Sequence, residues 1–159
     1  MDEKEHLERK ALAFFLRLYN RKIDTKYRLL KKREKPDFEV KDAHSGTLLG
    51  VEVSHIFHDK KEAMMMLGRD LDHIHGIITA QDHVDVVMRI LKKKSEKMRH
   101  YICAAPVILV LRDFSKTFSP GTLFDTRLGL KVPHSGYKEI WYLSRTHPVD
   151  KWDRLVRIK

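Results

Sequence analysis

Cysteine is almost missing from this chain, with Cys103 alone among 159 residues. A single thiol excludes an intrachain disulfide and suits a reducing interior. Cys103 sits in an apolar stretch ahead of Pro106 and reads as a small core residue rather than a nucleophile. No apolar run is long enough to span a membrane, so no membrane partner is expected. The first residues are acidic and basic rather than an apolar signal region, which points away from secretion and toward a cytoplasmic location. Glycine and proline are sparse, at 7 and 5 residues, and nowhere gather into a linker. With no internal repeat and no break in composition, the whole of 1–159 reads as one domain.

What is abundant is positive charge. Lys and Arg total 32 against 22 Asp and Glu, a formal charge of +10, while 42% hydrophobic content excludes wholesale disorder. Such a surface attracts polyanions, nucleic acid among them; an acidic protein partner or plain solubility fits the same excess. The run Lys31, Lys32, Arg33, Glu34, Lys35 concentrates that charge directly before Pro36-Asp37. Side chains of this kind make phosphate contacts that carry no sequence preference, and a solvated face is the plain alternative.

Leu48 to His55 reads as a strand, with Val51 and Val53 on one face and Gly50, Glu52 and Ser54 on the other. Phe38 to Lys41 alternates in the same way, and the turn-forming residues Asp42 to Thr47 between them predict a hairpin. Asp37 then stands at the mouth of the first strand and Glu52 within the second. With matched registers, both carboxylates reach one divalent ion. Equally, Asp37 can be a turn residue beside Pro36 and Glu52 a solvent-facing strand carboxylate.

Helix-period stripes flank the hairpin. Leu7, Ala11, Phe14, Phe15 and Leu18 form an apolar face from about Glu3 to Tyr19, with Glu8 beside it. Glu8 also suits the positive end of the helix dipole. A second stripe of Val84, Val87, Met88, Leu91, Met98 and Ile102 predicts a helix from about Asp82 to Tyr101. Lys94 falls on that stripe, whereas Lys92, Lys93 and Lys97 point elsewhere. A lysine there must find an acid or snorkel to water.

Pro36-Asp37, a hairpin-sized gap and then Glu52-Val53-Ser54 resembles the signature of the PD-(D/E)XK nuclease superfamily. The resemblance implies an α/β, restriction-endonuclease-like mixed β-sheet flanked by helices, with an α-β-β-β-α-β core. It implies a Mg²⁺ or Mn²⁺ ion held by Asp37, Glu52 and the Val53 carbonyl, with Glu8 as a further helix carboxylate. The superfamily's motif lysine is absent, since Ser54 occupies its position, and relocation to a following helix makes Lys94 the candidate. The implied activity is metal-dependent hydrolysis of nucleic-acid phosphodiesters, DNA before RNA, by an endonuclease-like enzyme with Lys31, Lys32, Arg33 and Lys35 as phosphate contacts. A homodimer would suit an enzyme that cuts both strands. The open alternatives are a non-catalytic nucleic-acid-binding protein of the same fold, for which Ser54 marks a true loss, and a basic interaction or scaffold protein.

Further strands are expected at Tyr27 to Leu30, Pro106 to Leu111 and Glu139 to Leu143. Turn signals between Asp113 and Gly136 predict a loop or small hairpin excursion. Among ten histidines, His55, His58, His73 and His75 invite a zinc reading, but no spacing matches a compact finger or a metalloprotease helix. The register of His55 on the Val51–Val53 face makes it a partly buried structural residue. Met64 to Leu67 reads as core or an oligomer contact.

Overall fold

The computed structural model describes residues 2–57, 79–101, 104–114, 120–146 and 151–159. The expectations for His58, Met64 to Leu67, His73, His75 and Cys103 lie outside these residues. The described chain is α/β, a mixed six-stranded sheet with a long helix on each face.

Helix α1 spans Glu3–Ile23. Asp2 caps it by accepting from the Glu5 N–H at 2.7 Å, Glu3 and Glu5 face the positive end of the dipole, and Arg21 and Lys22 face the negative end. It runs beyond Tyr19, where the apolar stripe fades, and stops at Asp24 in the left-handed region (φ 54°). The buried stripe is Leu7, Glu8, Ala11, Leu12, Phe15, Leu18 and Tyr19, so Glu8 lies on the buried face itself.

Strands β1 (Tyr27–Lys32), β2 (Phe38–Asp42) and β3 (Leu48–Ile56) follow as an antiparallel meander. Helix α2 (Ala80–Met98) is carried in the crossover from β3 to the parallel strand β4 (Val107–Asp113). Its start is a capping box: Thr79 Oγ1 accepts from the Asp82 N–H, and the Asp82 carboxylate accepts from the Thr79 N–H. The helix ends at Met98, three residues short of the expected Tyr101.

Every residue of β4 is buried, as befits a central strand with neighbours on both sides and helices on both faces. The excursion after it contains a short helix α3 (Pro120–Leu123) and a 3-10 turn (Thr126–Leu128), with no strand among its described residues. Strand β5 (Glu139–Thr146) pairs parallel with β4, and a sixth strand, β6 (Lys151–Arg157), pairs antiparallel with β5. The spatial order is β1-β2-β3-β4-β5-β6.

Two cores result. Under α1 lie Phe15, Phe38, Val40, Val51, Val53, Val110, Trp141 and Leu143; under α2 lie Ile56, Val84, Val87, Leu91, Leu109, Leu111 and Tyr142. Truncating one of the large members, such as Phe15→Ala, costs about 3–5 kcal/mol through lost transfer energy and a residual cavity. No helix among the described residues is long and apolar enough to cross a membrane.

Candidate active site

The β2–β3 hairpin sets the geometry. Its turn is tied by Asp42, which accepts from the Lys26 and His44 N–H groups and from the Ser45 hydroxyl, and Gly46 takes the positive φ of 76° that the turn requires. These donors, Ser45 first, hold the Asp42 carboxyl down at about 2. The register so imposed pairs Phe38 with Val51. One step outward, Asp37 comes opposite Glu52.

Both carboxyls are buried, one beside the other. Asp37 Oδ2 also accepts from the Val53 N–H at 2.8 Å. Burial first, and then Glu52, push the Asp37 carboxyl up to about 7, against the opposing pull of the Val53 N–H and the Lys94 charge. Burial beside a second acid disfavours the charged form of Asp37.

Lys94 reaches this pair from α2, with Nζ 3.6 Å from Glu52 Oε2. Two contacts fix that end of the helix: the Tyr137 hydroxyl donates to the Lys94 carbonyl at 3.3 Å, and Gly136 lies so close that a Cβ there would meet Met98 Cγ at 3.3 Å. From α1, Glu8 faces the same region, its carboxyl raised by burial first and by Asp37 second. Lys32 Nζ lies 3.4 Å from Glu8 Oε2 and 4.0 Å from Asp37 Oδ1, and Lys4 Nζ lies 3.8 Å from Glu8 Oε1.

The four residues Glu8, Asp37, Glu52 and Lys94, drawn from four separate elements, thus converge. Of the basic run, Lys32 turns inward to the acids and also donates to the Arg33 and Asp37 carbonyls, and Arg33 pairs with Glu39 at 2.6 Å. Lys31 and Lys35 remain exposed. Lys97 is exposed too, yet near enough for Lys94 and Glu52 to act on it; its position three residues after Lys94 was the available signal. Lys4 and Tyr137 join the site without any sequence signal, because both depend on how α1 and the β5 approach dock.

Two adjacent buried carboxyls supply oxygen donors of the kind a hard divalent ion takes. Among the described residues no group of three or more His, Cys, Asp or Glu side chains is arranged to hold a metal, so further oxygens would have to come from backbone and water. His55 stands on the opposite face of β3 from Glu52, its ring tilted against Phe57 and Phe114. Burial, then Arg112, depress it to about 3 and keep it neutral.

Comparisons with protein-family models, curated proteins and solved structures find no match for this chain.

Proposed function

We propose that this protein is a metal-dependent nuclease of the PD-(D/E)XK type, with a restriction-endonuclease-like fold, that hydrolyses phosphodiester bonds in nucleic acid, DNA before RNA. The observation that carries the reading is the buried Asp37–Glu52 pair, set side by side by the hairpin register, with the Lys94 ammonium 3.6 Å from Glu52. Asp37, Glu52 and the Val53 carbonyl would hold Mg²⁺ or Mn²⁺. When bound, such an ion polarises the phosphate and lowers the pKa of an attacking water.

The chain's own groups have distinct roles. The Val53 N–H orients Asp37 by fixing Oδ2. Lys94 places positive charge where the phosphate gains negative charge, or holds the water. Lys32 spans Glu8 and Asp37 and limits their mutual repulsion. Exposed Lys31 and Lys35 are left to meet the backbone of the substrate.

Cleavage of labelled DNA and RNA with Mg²⁺, Mn²⁺ or EDTA tests this. Metal-dependent cutting by the wild type, lost in Glu52→Ala, is the expected result. Cutting that survives in both Glu52→Ala and Asp37→Ala removes the assignment.

Ser54 favours a second reading. It is half-buried on β3 where the motif calls for lysine, and a catalytically degenerate nucleic-acid-binding protein would show salt-sensitive binding with no cutting under any metal.

A further inference from the structure

On the α1 face, at the C-terminal ends of the parallel strands, lies a cluster of buried polar side chains that the nuclease reading does not use. Arg112 on β4 is 4% exposed and pairs in register with His55 on β3. Its guanidinium is stacked among rings, 4.3 Å from the Trp152 centroid, 4.5 Å from Phe114 and 5.4 Å from Phe14. The faces of the guanidinium are therefore covered by rings, and its in-plane donors are buried but incompletely partnered. Nη1 donates to the Leu7 carbonyl at a long 3.4 Å, Nε has no acceptor, and no carboxylate pairs with Arg112 among the described residues. Both ring nitrogens of His55 are likewise covered and lack a partner there.

Magnitudes show why this is unusual. Cation–π contacts recover only part of the desolvation penalty that a buried unpaired ion carries. Arg145, on the neighbouring strand, adds like charge nearby; it donates to the Phe114 carbonyl at 2.7 Å and holds Arg112 below the usual arginine range after burial has done the same. His55 and Phe14 are only half-buried, so the cluster lies near the surface.

We propose that Arg112 and His55 form an anion site for a phosphate-sized oxyanion, either free phosphate or the terminal phosphate of a nucleotide or nucleic-acid end. The guanidinium would offer its fork of N–H donors and neutral His55 one more, with the aromatic rings excluding water. The Asp37–Glu52 pair lies on the other face of β3 from His55 and Arg112.

Thermal unfolding in EDTA, with millimolar inorganic phosphate against potassium chloride of equal ionic strength, is the test. Phosphate should raise the wild-type Tm by roughly 3–6 °C. Arg112→Met should lose that response while being at least as stable as wild type without phosphate, because it removes a buried charge and keeps the volume. Glu52→Ala should keep the response. No phosphate shift in wild type, or an equal shift in Arg112→Met, overturns the proposal, and so does loss of the response in Glu52→Ala, which would put the anion at the carboxylates.

Should Arg112→Met fail to fold, the Arg112 Nε–H resonance of the wild type decides: it must move on phosphate titration, and its staying fixed is fatal to the idea. Competition by a 5′-phosphorylated oligonucleotide, but not by its 5′-hydroxyl form, would identify a nucleic-acid end as the source; displacement by neither would identify the free anion.

Discussion

Helix α2 presides over two polar clusters, and they differ in kind. Near its start, His83 Nε2 lies 3.1 Å from Asp113 Oδ2 and 3.3 Å from the Tyr142 hydroxyl, which donates to the same carboxylate; none of the three side chains is more than marginally exposed. Near its end, Lys94 meets Glu52 and Asp37, with 19% of the lysine side chain exposed. The first cluster sets complementary groups against one another, donor to acceptor, with no like charges opposed. The second forces two acids together and leaves a side open to solvent. Complementarity at one end suits a structural anchor between α2, β4 and β5, while opposed buried acids suit chemistry.

If that contrast is right, substitutions should separate stability from activity along one helix. The largest effect belongs to the acid pair: Asp37→Asn or Glu52→Ala should lower metal-dependent cleavage at least about a hundredfold. Metal-free Asp37→Asn should unfold at the same or a higher denaturant midpoint than wild type near neutral pH, since a like-charge contact is gone. A clear drop in its midpoint would make the pair structural after all.

At the other end, His83→Ala should destabilise by about 3 kcal/mol in urea, leaving Asp113 buried without a partner it had, while turnover measured well below the melting range stays near wild type. Tyr142→Phe should cost less, about 1–2 kcal/mol, by removing one donor to Asp113. Comparable losses of cleavage in these variants would erase the distinction between the two clusters.

Lys94→Ala should reduce turnover by about ten- to a hundredfold, and Lys93→Ala, exposed on the same helix, by less than about twofold. Equal effects would remove the relocated-lysine role.

The smallest effect is one of pH. Without metal, Asp37 is pushed up to about 7 from an ordinary 3.8, so its proton is held more tightly in the folded chain than in the unfolded one. The stability contributed is full below about pH 4 and is lost as pH rises through about 7, and raised Glu8 acts with the same sign. Urea midpoints should therefore fall between about pH 5 and about pH 8, and Asp37→Asn should flatten the slope.

Much of this was legible beforehand. Alternation around Val51 and Val53 and the Asp42–Thr47 turn predict the hairpin that faces Asp37 toward Glu52, and the α2 stripe predicts Lys94 on the inner face. Strand β6 was missed because its buried residues, Trp152 and Leu155, are three apart: it is an edge strand whose register against β5 shifts between Ser144 and Thr146, so no period of two survives. Helix α1 outran its apolar stripe because Arg21 and Lys22 suit its last turn, which hydrophobic patterning does not register.

Local sequence by itself determined that Lys94 falls on a helical stripe and Glu52 on the even face of a strand, and set Glu8 beside its stripe, because helical and extended periodicity are set within a few residues. Only the tertiary structure decided that Glu8, Lys32, Asp37, Glu52 and Lys94 meet, and that Arg112 is walled in by Phe14, Phe114 and Trp152. Those contacts join residues far apart in the chain, and they arise from how α1 docks, where the α2 crossover lands and where β6 adds to the edge, which follow from burying two apolar faces of one sheet at once.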